Sequence, residues 1–87
     1  MEHEIETLIK KHYKNTTLES VKTIGDIVII RCKPNKVITM SYIALRILNK
    51  YPQFHSVIFT GGWTEHYYSR ETLKWGSFYV KKNVKLI

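Results

Sequence analysis

Two short apolar runs constrain this chain more than any other feature, because they flank one segment of helical length. The runs occupy residues 27–30 and 57–59, and an apolar-rich segment occupies residues 37–51 between them. Runs that are apolar at every position are typical of buried parallel strands, and joining two parallel strands takes a dozen or more residues, usually as a helix. The sequence therefore predicts a strand-helix-strand unit at the centre of a mixed sheet.

The remaining segments predict a helix and a hairpin before this unit and a strand after it. Apolar residues recur at helical spacing over residues 2–14, whose acidic start and basic end suit the helix dipole. Residues 18–24 alternate weakly, and Gly25-Asp26 separates them from the next run, which predicts a hairpin; one long strand with a bulge at Gly25 is the alternative. Alternation from Ser77 onward predicts a last strand or a tight hairpin.

Together these elements give the order helix, hairpin, helix, strand, strand in a single domain of residues 1–87. The predicted fold class is α/β, with α+β as the alternative. Since both apolar runs place apolar side chains on both pleat faces, we expect helices on both faces of the sheet. A right-handed crossover places the helix of residues 37–51 on one face, so the helix of residues 2–14 should cover the other.

The chain carries an excess of positive charge, with 14 Lys and Arg against 7 Asp and Glu and a formal net charge of +7. No acidic residue occurs from residue 27 to residue 64, although five basic residues fall there. Such an excess costs self-repulsion and favours a polyanionic partner, above all nucleic acid.

The basic residues also predict where that partner binds. The carboxyl ends of parallel strands meet at one edge of a sheet, so residues 31–33 and 60–63 should lie together. Basic and aromatic side chains in one place favour phosphate contact and base stacking. The predicted nucleic-acid-binding residues are Arg31, Lys33, Lys36, Arg46, Lys50, Trp63, Arg70 and Lys74.

Other chemistries have little support in the residue pattern. The four His residues are scattered without metal-ligand spacing, and no Ser, His and acid set indicates a nucleophile, so neither a cofactor nor a metal is expected. The single Cys32 ends an apolar run and is interpreted as a small buried hydrophobe. The first residues lack the basic-then-apolar order of a signal peptide, and no apolar stretch approaches the roughly 20 residues of a membrane span. We therefore expect a cytoplasmic protein with no membrane partner.

The triplet Arg31-Cys32-Lys33 and the later strand of residues 58–60 resemble the Mrr-type branch of the restriction-endonuclease-like fold, over residues 27–62. In that family an apolar strand ends in a Glu-or-Gln, any residue, Lys triplet, often with Cys in the middle. The resemblance implies a DNA partner, with Lys33 facing a phosphate. Arg31 stands where the family usually has a metal-binding acid, and it would repel a divalent cation. The resemblance thus implies a fold without the complete catalytic set.

Two other functions stay open at this point. A minimal metal-dependent nuclease would use Asp26 and Lys33 with Mg²⁺. A protein-interaction module or inhibitor would use the aromatic residues near the sheet edge. The prediction carried forward is a small, basic, non-catalytic nucleic-acid-binding protein, such as an accessory protein of a virus or plasmid. The sequence does not decide whether the chain forms a homodimer or has a protein partner.

Overall fold

The computed structural model describes residues 1–14, 16–33, 37–61 and 65–71. Its elements are α1 (Glu2–His12), β1 (Thr17–Ile24), β2 (Ile27–Lys33), α2 (Val37–Lys50), β3 (Ser56–Thr60) and β4 (His66–Ser69). The four strands form one sheet in the order β1-β2-β3-β4. β2 and β3 are parallel, and each outer pair is antiparallel. The predicted α/β fold with a mixed sheet and a central strand-helix-strand unit is confirmed.

The hairpin before this unit is confirmed, and the alternative of a bulge at Gly25 is wrong. β1 and β2 pair in register from Ile24 and Ile27 at the turn. Gly25 has a φ of 59°, and no other type of residue in the described chain has a positive φ. In a two-residue hairpin, a positive φ at the first turn position only is the mark of a type II′ turn, which favours glycine at that position. The β-bulge lies instead between Leu18 and Ser20, at the far end of the hairpin.

Both helices pack on the same face of the sheet. Side chains of β2 alternate, with Val28, Ile30 and Cys32 buried on the face that the helices cover. α1 and α2 lie side by side in this layer, because Nε of Arg46 on α2 donates a hydrogen bond of 3.3 Å to the hydroxyl of Tyr13 at the end of α1. The prediction of helices on both faces is therefore wrong for the described part of the chain.

The prediction was wrong because an apolar run shows which side chains a strand has, but it does not show whether a helix packs on them. Ile27, Ile29 and Ile58 lie on the second face, where they are half-buried although no described helix covers them. Branched apolar side chains also favour strands because they pack along the pleated surface itself. A continuous run is thus compatible with a helical layer on one face only.

The core is one cluster between the helical layer and the sheet. Its most buried members include Ile5 and Ile9 of α1 and Ile43 and Ile47 of α2. Burying such a side chain contributes about 1.5–3 kcal/mol. Cys32 belongs to the same cluster, and burial, followed by the charge of Glu19, raises the pKa of its thiol to about 11. The interpretation of Cys32 as a small buried hydrophobe is confirmed.

The fourth strand was not expected from the sequence. β4 consists of His66, Tyr67, Tyr68 and Ser69, a segment without apolar alternation. It is a strand because it pairs with β3, and Tyr68 stacks edge-on against Phe59 with ring centroids 5.6 Å apart. The strand that was predicted from Ser77 onward lies outside the described residues.

The start of α1 also protects an edge of the sheet. Glu2 Oε2 accepts a hydrogen bond of 2.8 Å from the backbone N–H of Thr23 on the outer strand β1. A charged group on an edge strand disfavours pairing with another chain. Among the described residues, neither helix is long and apolar enough to cross a membrane.

Candidate functional site

The predicted binding residues that the structure describes do not form one surface. Lys36, Trp63 and Lys74 lie outside the described residues. The five that the structure describes fall into three places: the end of β2 (Arg31, Lys33), the exposed side of α2 (Arg46, Lys50) and the residue after β4 (Arg70).

The first place is a sheet-edge cluster of Glu19, Arg31 and Lys33. Arg31 Nε lies 3.0 Å from Glu19 Oε1, and Lys33 Nζ lies 3.7 Å from Glu19 Oε2. Glu19 occupies the bulge of β1, whose extra residue faces the end of β2. Arg31 and Lys33 alternate with the buried Cys32, so they point away from the helical layer. One carboxylate thus offsets part of the charge of both cations.

The end of β3 lies against this cluster, as expected for neighbouring parallel strands. Arg31 pairs with Thr60 in the register of the sheet. Gly61 follows with a φ of 104°, and a Cβ there would lie 3.2 Å from the carbonyl oxygen of Cys32. Glycine allows both the positive φ and this close approach.

Arg70 is the least available of the five cations. Its Nε donates to the carbonyl oxygen of Phe54 at 2.9 Å, and its Nη2 donates to that of Tyr51 at 3.2 Å. Next to it, Glu71 Oε1 lies 2.9 Å from His55 Nε2. These contacts fasten the connection between α2 and β3 to the end of β4. The prediction that Arg70 contacts nucleic acid stays untested, but at least two of its N–H groups serve the fold.

The remaining two cations line an open groove of about 460 Å³ between α1 and α2, here called the interhelical groove. Leu8 forms its buried floor, and Leu45 and Tyr13 are half-buried against the core. The described residues that line it are Leu8, His12, Tyr13, Tyr42, Leu45, Arg46, Asn49 and Lys50. None of these is acidic, in contrast to the sheet-edge cluster.

Tyr13 positions the Arg46 side chain at the rim. Besides the hydrogen bond to the Tyr13 hydroxyl, the guanidinium carbon of Arg46 lies 6.0 Å from the centre of the Tyr13 ring. Lys50 is one helical turn further along α2, and its Nζ lies 5.8 Å from the centre of the Tyr51 ring. Aromatic neighbours hold a cation without neutralising it. Both positive charges therefore remain available at the rim.

The groove continues along α1 toward its N-terminus. A second depression of about 390 Å³ shares Leu8, His12 and Lys50 with it and adds Lys11. At the far end of this depression lies Glu4, so acidic character begins only about two helical turns from His12. The positive end of the groove is thus formed by both helices.

The field in the groove acts on His12. Desolvation by the surrounding side chains and, after it, the positive charges of Arg46, Lys11 and Lys50 lower the pKa of His12 from its ordinary value of 6.5. A cation nearby disfavours the protonated imidazole. The cations of both helices therefore act on His12 in addition to desolvation.

The sequence analysis did not predict the side of the groove that α1 forms, nor Tyr42 on α2. The basic end of the first helix was related to the helix dipole and not to a binding site. Tyr42 was not distinguished within a helix expected to be mostly buried. Ile43 of α2 is buried, and the exposed side of this helix runs through Tyr42, Arg46 and Asn49. The available signal was the basic end of α1, but only the packing shows that it faces α2.

The pair required by the nuclease alternative is separated. Asp26 lies in the turn before β2, and Lys33 is the last residue of that strand. Seven residues of extended chain separate them by roughly 20 Å. The acid beside Lys33 is Glu19. Within residues 1–14, 16–33, 37–61 and 65–71, no group of three or more His, Cys, Asp or Glu side chains could hold a metal ion.

Comparisons with known proteins give no match for this chain. No protein-family model, curated protein or solved structure matches it. The likeness of residues 27–62 to the Mrr-type branch therefore stays a prediction from the sequence. The function has to be argued from the interhelical groove and the sheet-edge cluster.

Proposed function

We propose that this protein binds nucleic acid through the interhelical groove. The observation that carries the proposal is the convergence of His12, Arg46 and Lys50 from two helices on one groove, with Lys11 in the adjoining depression. Like charges this close together repel one another in the free protein, and after desolvation they contribute to the lowered pKa of His12. A polyanion in the groove would relieve that repulsion.

The spacing of the cations suits a phosphate backbone. Arg46 and Lys50 are four residues apart on α2, which places their Cβ atoms about 5–6 Å apart on one side of the helix. Neighbouring phosphates of one strand can then contact one cation each. Arg46 also offers a planar fork of N–H donors that suits phosphate oxygens.

The sheet-edge cluster supports binding less well. Glu19 already contacts Arg31 and Lys33, and a phosphate would have to compete with that carboxylate. We therefore assign Arg31 and Lys33 a minor contribution. No described feature specifically favours the nuclease or the protein-interaction alternative. The cytoplasmic location, the absence of a cofactor and the accessory role in a virus or plasmid remain predictions from the sequence.

The test is the salt dependence of binding by matched double variants. Affinity for a fluorescent oligonucleotide is measured by anisotropy over a range of salt concentrations. Each phosphate contact contributes a slope of about 0.7 for single strands or 0.9 for duplex in log affinity against log salt. Arg46→Ala with Lys50→Ala should lower the slope by about 1.4–1.8. The control, Arg31→Ala with Lys33→Ala, removes the same formal charge and should lower it by much less.

Two results would contradict the proposal. One is the absence of salt-dependent binding by the unaltered protein at low ionic strength. The other is an equal loss in both double variants, because the total charge and not the groove would then govern binding. Thermal melting of each variant checks that the exposed substitutions leave the fold intact.

A further inference from the structure

The interhelical groove is more apolar than a site for phosphates alone requires. Leu8 and Leu45 form its floor, and Tyr13 and Tyr42 line it. Tyr42 is 38% exposed although it is a large aromatic side chain. One turn earlier on α2, Ile38 is 62% exposed, so the apolar track continues beyond the groove. Exposed apolar side chains beside cations favour a ligand that has both charge and apolar surface.

A single strand presents such a combination and a duplex does not. In a duplex the base faces are stacked and only the base edges are accessible in the grooves. Proteins that read a duplex commonly insert a helix into the major groove. Here α1 and α2 lie side by side on the sheet, with Ile5 and Ile43 buried beneath them. A duplex would therefore leave the apolar lining of this concave groove without a contact. A single strand can stack its bases on aromatic rings and would use that lining.

We propose that the groove takes single-stranded nucleic acid, with Tyr42 stacking on a base while Arg46 and Lys50 contact phosphates. This assignment rests on the function proposed above and narrows its substrate class. Tyr42 is four residues before Arg46 on α2, so both side chains reach the same stretch of strand. Tyr13 is half-buried against the core, and its hydroxyl and ring contact Arg46, so it is a positioning residue. Tyr42 is the more exposed of the two rings in the groove, and the base contact is assigned to it on that ground.

The experiment compares Tyr42 variants on three probes of similar length: single-stranded oligothymidine, an abasic strand with the same phosphates, and a duplex. Tyr42→Ala and Tyr42→Leu should each weaken binding of oligothymidine roughly 5- to 150-fold, the range given by one base–aromatic stack. Tyr42→Phe should bind like the unaltered protein. The Leu variant keeps an apolar side chain of substantial size, so it guards against a loss of folding in the Ala variant.

The other two probes isolate the base. Affinity for the abasic strand and the duplex should change less than about twofold in all Tyr42 variants, because their contacts are mostly to phosphates. Tyr67→Leu is the matched control. Tyr67 pairs with Ile58 on the sheet face away from the helices, and its replacement should leave binding to all three probes unchanged.

The outcomes separate this assignment from the proposed function. Equal losses on oligothymidine and on the abasic strand, or no loss with Tyr42→Leu, would overturn base stacking at Tyr42. If the Arg46 and Lys50 double variant still lowers the salt slope in that case, the proposed function survives. If the unaltered protein binds none of the three probes at low salt, the proposed function itself fails.

Discussion

The interhelical groove and the sheet-edge cluster each contain one Arg and one Lys, yet they differ in what surrounds them. Arg31 and Lys33 share the carboxylate of Glu19 at 3.0 and 3.7 Å. Arg46 instead contacts the neutral hydroxyl of Tyr13, and the described lining of its groove contains no acid. The comparison teaches that a basic sequence segment does not define a basic site. Glu19, placed by a bulge, offsets part of the charge of Arg31 and Lys33, whereas no acid lines the described groove around Arg46 and Lys50.

The two regions differ in their support as well. The groove has the core as its floor, since Leu8 is buried between the helices and the sheet. The cluster lies on exposed side chains at a strand end, with Arg31 and Lys33 both more than half exposed. The groove should therefore be the more rigid of the two, and a change to its floor should affect stability before binding.

The largest expected effect concerns that floor. Leu8→Ala should lower the free energy of unfolding by about 2–5 kcal/mol, because it removes buried methyl groups and leaves a cavity. Arg31→Ala at the cluster should cost less than about 1 kcal/mol, the range of exposed ion pairs. Denaturant unfolding of both variants measures the difference. A Leu8→Ala protein as stable as Arg31→Ala would show that the groove is not built on the core.

The next largest effect is on binding. Asn49→Glu would give the interhelical groove an acid beside its two cations, as Glu19 does in the sheet-edge cluster. Asn49 is exposed and lines the groove, so Asn49→Glu places an acid beside Arg46 and Lys50. Affinity for an oligonucleotide should fall roughly tenfold at low salt, in keeping with unit charges a few ångströms apart at a protein surface. Anisotropy measures the change, and Asn49→Gln is the uncharged control. Equal affinities of the Glu and Gln variants would contradict the electrostatic role of the groove.

The reverse change should have a smaller effect. Glu19→Gln removes the carboxylate from Arg31 and Lys33 and creates a second cationic surface on the other face of the sheet. Since exposed ion pairs contribute only about 0.2–1 kcal/mol, affinity should rise by no more than about fivefold. The same measurement on Glu6→Gln, an equal change of charge on α1, is the control. If both variants gain equally, the cluster is not a latent site and only net charge matters.

The smallest expected effect is a dependence of the binding affinity on pH, which we attribute to His12. Phosphates in the groove would offset the charges of Lys11, Arg46 and Lys50, so the pKa of His12 should be higher in the complex than in the free protein, where it lies below 6.5. Binding then takes up a proton, and affinity rises as pH falls through the interval between the two pKa values. A shift of one pKa unit limits the gain to about tenfold.

Affinities measured between pH 7.5 and pH 5 would reveal the gain. His12→Asn should abolish most of it. His3 and Glu4 also line the adjoining depression, so His3→Asn serves as the control and should keep the dependence. A pH profile that is the same in the His12→Asn protein and the unaltered protein would show that His12 does not face the bound strand.

The sequence predicted the elements of the fold better than their arrangement. Period and run length located both helices, the hairpin and the parallel pair, because these patterns reflect local backbone geometry. The second helix was predicted over residues 37–51 and is observed as Val37–Lys50. β4 was missed because its strand character depends on pairing with β3 and not on its own pattern. The face chosen by α1 was predicted wrongly, since an amphipathic helix can cover either side of an apolar sheet.

The candidate site shows the same division. Arg46 and Lys50 were predicted from charge and helical spacing alone, since residues that are four positions apart lie on the same side of a helix. Lys11, His12 and Tyr42 could not be assigned with them, because no local pattern brings α1 beside α2. In the same way, Glu19 lies 12 residues from Arg31 in the sequence, and only the register of the hairpin with its bulge joins them.

The sequence by itself thus determined the α/β class, the excess of positive charge and the positions of the helices and the parallel strands. Only the tertiary structure decided which cations act together: it placed α1 and α2 on one face and Glu19 against Arg31. The physical reason is that backbone patterns arise from residues a few positions apart. Electrostatic sites arise instead from distances in space, and a few ångströms decide whether a cation faces a carboxylate or an open groove.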